Sequence, residues 1–140
     1  MVRLRFLPFI ALAAAITGCG GDGRHETVPV CGIVVFPDGS PVRTGTIEFE
    51  SKTTDLTASG KIGTDGRFVL GTYEPADGAV VGFHHVMVLQ MIINDGTVEH
   101  HLDHGKPVDP KFAVYESSGL RVTVHPTNKN DLRIEVTAAE

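Results

Sequence analysis

The stretch Val28-Pro29-Val30-Cys31-Gly32-Ile33-Val34-Val35-Phe36, stopped by Pro37-Asp38-Gly39 and followed by Thr46-Ile47-Glu48-Phe49-Glu50, decides the fold class. The first run is rich in valine and isoleucine, whose branched Cβ suits a pleated strand. The second alternates apolar and polar residues, the period of a half-buried strand, and puts Ile47 and Phe49 on its core face. The Asp-Gly pair between them marks a chain reversal, because glycine accepts positive φ and aspartate tolerates it. The same grammar continues along the chain. Residues 58–63 read as a weak strand, Asp65-Gly66 as a turn, and Arg67-Phe68-Val69-Leu70 as a strand with Phe68 and Leu70 on one face. Residues 83–93 form the longest apolar stretch of this region. Leu120, Val122 and Val124 alternate with polar residues, as do Leu132, Ile134 and Val136. Asp77-Gly78 and Asp95-Gly96 supply two more reversals. About seven strands at this spacing predict an all-β fold, an antiparallel β-sandwich. A short helical turn is expected around residues 112–116.

Upstream of the strands lies a leader. Arg3 and Arg5 give a positive start, and residues 6–16 give an apolar run of 11 residues. A spanning helix needs roughly 20 residues, so the run suits a cleaved N-terminal signal helix and not a permanent anchor. It closes on Ile16-Thr17-Gly18-Cys19. An aliphatic residue, two small ones and a cysteine resemble the lipobox of bacterial lipoproteins. Residues 1–18 are then the signal peptide and Cys19 is the lipidation site, its thiol receiving a diacylglycerol. The competing reading is a cut at Ala13-Ala14-Ala15, which releases a soluble chain with two cysteines. Lipidation of Cys19 leaves Cys31 as the remaining thiol; a free Cys19 leaves a Cys19–Cys31 disulfide open in an oxidising compartment.

Without its leader the chain has 122 residues, ten Lys plus Arg and 17 Asp plus Glu, a net charge of about −7. That is enough for one domain, residues 28–140. The negative balance argues against nucleic acid and against electrostatic binding to anionic lipid. Residues 20–27, GGDGRHET, read as a polar, glycine-rich tether behind Cys19.

Several of these segments together resemble carboxypeptidase regulatory-like domains. Val30-Cys31-Gly32-Ile33-Val34, Asp38-Gly39-Ser40-Pro41-Val42 and Gly45-Thr46-Ile47-Glu48-Phe49 are similar to the family's opening strand, turn and strand. Thr64-Asp65-Gly66-Arg67-Phe68-Val69-Leu70 and Asp77-Gly78-Ala79-Val80-Val81-Gly82, with Val86 and Val88, resemble its middle. Pro110-Lys111-Phe112-Ala113, Ser118-Gly119-Leu120 and Val122-Thr123-Val124 resemble its close, in the form found in small lipoproteins of planctomycete-type bacteria. The resemblance implies a transthyretin-like or prealbumin-like sandwich, an accessory, adhesive or binding role, and no catalytic residues. Two positions depart from it. His84 stands where the family has an aromatic residue; parity with Val86 and Val88 turns it inward, which reads as a core histidine with satisfied ring nitrogens. Cys31 has the opposite parity to Val30 and Val34 and reads as an inert outward side chain.

Residues 94–109 make the longest segment without strand character and contain Glu99-His100-His101-Leu102-Asp103-His104. Imidazole and carboxylate suit zinc or another transition metal, so His100, His101 and His104, with His84 or His85 as further donors, form an alternative metal site. The bland alternative is a solvated polar loop. The metalloprotease H-E-x-x-H pattern, a G-x-S-x-G elbow and a glycine-rich phosphate cradle are all missing. The expectation is a cofactor-free, non-enzymatic module of the cell envelope, facing the periplasm or the exterior and inclined to the outer membrane. Its partners are the membrane, reached through the lipid on Cys19, and an envelope protein or glycan.

Overall fold

The computed structural model describes residues 23–90 and 105–140. Nine strands lie among them: β1 (Thr27–Val28), β2 (Val30–Val35), β3 (Gly45–Ser51), β4 (Thr57–Ile62), β5 (Arg67–Val69), β6 (Ala79–Val80), β7 (Gly82–Leu89), β8 (Leu120–Val124) and β9 (Asn130–Glu135). The expected first strand is divided at Pro29, which has no N–H to give a ladder, into β1 and β2. A 3₁₀ turn, Pro110–Ala113, and a one-turn helix, α1 (Tyr115–Ser118), occupy the place of the expected helical turn.

The chain is mostly β, with open sheets. One has the order β5-β2-β9, one has β4-β3-β7-β8, and β1 pairs with β6 in a two-stranded tie. One pair corrects the antiparallel expectation: β2 and β9 run parallel, in register from Val30–Asn130 to Val35–Glu135. The long return through β8 and the loop after it delivers β9 to the open side of β2 in the same direction as β2. The other strand pairs are antiparallel.

The three- and four-stranded sheets share one core. Val30, Val34, Phe68 and Ile134 enter from the first, and Ile47, Phe49, Ala58, Ile62, Val86, Val88 and Val124 from the second. Phe49 and Phe68 meet across the gap with ring centroids 6.2 Å apart. Burying side chains of this size stabilises the fold by about 1.5–3 kcal/mol each. At one corner the sheets are also tied by backbone: Ser59 and Gly71 exchange two hydrogen bonds of 2.9 Å. Gly32 is required where β2 lies between β5 and β9. A Cβ there would stand 2.2 Å from the Leu132 carbonyl and 2.7 Å from the Phe68 ring.

Strand directions sort the loops into two ends. β2 leads away from the entering chain toward residues 36–44, and β5 returns, so residues 70–78 lie at the entry end. β3 and β8 also finish there and β7 starts there, because Gly82 faces Val124 and His84 faces Ser51. The entry end thus carries residues 23–29, 52–56, 70–81 and 125–129. The far end carries residues 36–44, 63–66 and 105–109, with the C-terminal Val108–Ala138 bridge.

Candidate functional site

Cys19, His100, His101 and His104 lie outside the described residues, so the site is built from the residues that flank them. At the entry end the chain is already held at Arg24. Its guanidinium lies over the Tyr73 ring, 5.2 Å from the centroid, and 3.7 Å from the Glu74 carboxylate. The His25 N–H donates to the Tyr73 hydroxyl at 2.9 Å. Thr27 and Val28 then pair with Val80 and Ala79. The last four residues of the segment read as a tether are therefore in contact with the domain. Four residues lie between Cys19 and Arg24, so the two are on the order of 17 Å apart at most when the chain is fully extended.

The loop that receives Arg24 and His25 is built to hold its shape. The Asp77 carboxylate accepts N–H bonds from Thr72 at 2.6 Å, Tyr73 at 3.1 Å and Glu74 at 3.0 Å. Burial pushes this carboxyl up, but the three amide donors outweigh burial and hold it below its ordinary value. Gly78, at φ 91°, closes the loop against β1, where a Cβ would meet the Val28 carbonyl at 1.9 Å. Asn130 stabilises the neighbouring loop. Its Oδ1 accepts from the His125 N–H at 2.9 Å, and its Nδ2 donates to the carbonyls of His125, Thr127 and Pro29 at 3.0–3.3 Å.

Two hollows adjoin this end. An open groove of about 980 Å³ runs between β4, β5 and residues 71–76, with Tyr73, Val69, Lys61 and Arg67 in its walls. A smaller hollow of about 300 Å³ lies between His25, Glu26, Val28, Thr54, Val81 and Pro126. Among the described residues, no three of His, Cys, Asp and Glu are grouped as metal ligands are.

The far end holds both flanks of the histidine-rich segment. The Gln90 side-chain carbonyl accepts from the Val108 N–H at 2.8 Å, and Gly105 lies close to the Arg43 side chain. Lys106 bridges to Asp38 and lies 5.6 Å from the Phe36 ring centroid. That ammonium, with the Ser40 hydroxyl and N–H, holds the Asp38 carboxyl well below its usual range.

His84 and His85 point to opposite faces of β7. His84 is 1% exposed, with Nδ1 donating to the Gly82 carbonyl at 3.0 Å and its ring 6.0 Å from Phe49. Its Nε2 is buried without a hydrogen-bond partner. Burial pulls the imidazole below its ordinary value, opposed by the bond to Gly82. An enclosed ring of this kind is not accessible to an outside metal ion. His85 packs edge-on against Phe83 at 5.6 Å on the outer face. There Tyr115 donates to Glu48 at 3.1 Å; burial, then the Glu48 carboxylate, push the phenol up to about 12. Cys31 is exposed, on the face away from Val30 and Val34.

No family model matches the chain, and neither a curated protein nor a solved structure matches it. No helix among the described residues is long and apolar enough to cross a membrane. The residues that sequence reading missed are Tyr73, Glu74 and Asp77, which receive the entering chain. Asp77-Gly78 was legible as a turn, but its role as a seat for Arg24 and His25 depends on contacts some 50 residues apart in sequence.

Proposed function

We propose that the protein is a lipid-anchored, non-enzymatic binding or structural module of the cell envelope, with a transthyretin-like or prealbumin-like sandwich carried on a lipidated Cys19. The observation that carries this reading is the seating of Arg24 and His25 on Tyr73 and Glu74. A lipid on Cys19 then holds the folded body within a short chain length of the bilayer, with one defined end toward it. The leader motif and the net negative charge support attachment through lipid instead of through basic residues. The ligand is a protein or a glycan of the envelope, met at the far end or along the open sheet edges, which can take a partner's strand. Cys19→Ser is the test. The wild-type full chain partitions into the membrane fraction, the variant moves to the soluble fraction, and the domain unfolds at the same denaturant concentration in both proteins. A variant that stays in the membrane fraction contradicts the reading.

The second reading is a metal-binding envelope protein that uses His100, His101 and His104. What favours it is the position of Gln90 and Gly105, the residues flanking that segment, at the end away from the entering chain. Isothermal titration of the full chain with zinc tests it: heat at micromolar zinc that disappears when the three histidines become alanine supports the site, and no heat ends it.

A further inference from the structure

The entry end carries large apolar side chains that stay well exposed in the folded domain. Val81 is 41% and Phe83 44% exposed, two of the four large hydrophobic residues exposed among the described residues. They stand two positions apart, where the chain passes from β6 into β7. Val81 borders the hollow shared with His25, Glu26 and Pro126. Phe83 takes its place on the outer face of β7, and its carbonyl accepts from the Lys52 N–H of the adjoining turn at 3.0 Å. The backbone at Phe83 is therefore held by the adjoining turn, while both side chains remain exposed.

We propose that Val81 and Phe83 rest in the interfacial layer of the bilayer and set the orientation of the domain on it. This rests on the reading that Cys19 carries a lipid. The described chain begins at Gly23, at the same end as these two side chains, and Cys19 is four residues earlier. Those four residues span on the order of 14 Å at full extension. An anchored domain thus meets the surface with this end, and the encounter is intramolecular, so a small apolar contact is enough to fix its tilt. An aromatic ring and a branched aliphatic side chain suit the boundary between headgroups and acyl chains. Charge does not supply the contact: the exported part is net negative, and Glu26, Asp55 and Glu74 share this end with Arg24, Lys52 and Lys129. The contact is accordingly apolar and insensitive to salt.

The chain contains no tryptophan, so one introduced indole reports its own surroundings. The full chain with Phe83→Trp, matured in cells and reconstituted in phosphatidylethanolamine–phosphatidylglycerol vesicles, is compared with and without bromine on the acyl chains. Val81→Trp is a second probe, and Val114→Trp, exposed between the turn Pro110–Ala113 and α1 and outside the residues assigned to the entry end, is the control. The expected result is at least twofold quenching at positions 81 and 83, unchanged by 0.5 M salt, and little at 114. If the protein floats with the vesicles but positions 81 and 83 are quenched no more than 114, the docking face is wrong and the anchor stands. If the protein does not float at all, the anchor fails and takes this inference with it.

Discussion

His84 is the residue whose environment makes the sharpest demand. Its Nδ1–H is used by Gly82, so the neutral ring leaves the Nε2 lone pair facing a core with no donor. Ser51 and Val122 flank it on β3 and β8, and the Phe49 ring packs against it; none of these groups carries charge. Burial lowers its folded-state pKa below the ordinary histidine value near 6.5. The sign follows. Above about pH 6.5 both folded and unfolded forms are neutral and nothing is lost. As pH falls below that value the unfolded chain takes a proton that the folded chain refuses, and stability declines until the folded-state pKa is passed. Urea unfolding at pH 7.5 and 5.5 should show this loss, and His84→Leu should remove most of it while leaving the pH 7.5 midpoint equal or higher, because an apolar side chain leaves no orphan acceptor. An identical pH profile in the variant would sink the assignment. Asn130 makes the opposite demand: Asn130→Ala leaves the His125 N–H without its partner and should cost about 1–3 kcal/mol in the same assay. The inward direction of His84 was legible from its parity with Val86 and Val88. Its orphaned nitrogen was not, because that depends on side chains from β3 and β8 that are far away in sequence.

At the scale of the element, β2 is the strand on which the three-stranded sheet depends. It has β5 on one side and β9 on the other, and Gly32 marks where all three crowd together. Gly32→Ala should destabilise the domain by about 3 kcal/mol, at the upper end of overpacking effects, since the atom it strikes first is the Leu132 backbone carbonyl. A midpoint shift below about 0.5 kcal/mol would mean that the β2–β9 register is wrong. Alternation identified the core faces of β3, β5 and β9 correctly: Ile47, Phe49, Phe68 and Ile134 are all 5% exposed or less. It could not disclose that β2 and β9 run parallel. Period-2 patterning tells which side of a strand is buried, and nothing in it tells the neighbour or the direction. The β1–β6 tie was hidden for a related reason: two residues are too few to show any period, and only the pairing of Thr27 with Val80 reveals it.

The whole molecule has two distinct ends. The chain enters at one, seated on Tyr73 and Glu74, and the flanks of the histidine-rich segment lie at the other. If Cys19 is lipidated as proposed, this polarity would turn the entry end to the membrane and the far end outward. The proposed membrane attachment is argued from the leader alone, a short apolar run closing on a cysteine. The polarity was not legible, because it follows from strand directions that only the assembled sheets supply. The most direct measurement is intact mass and N-terminal peptide analysis of the mature protein purified from membranes. The account predicts a chain that begins at Cys19 and carries a thioether-linked diacylglycerol. A chain that begins just after Ala15, with an unmodified Cys19, would contradict it.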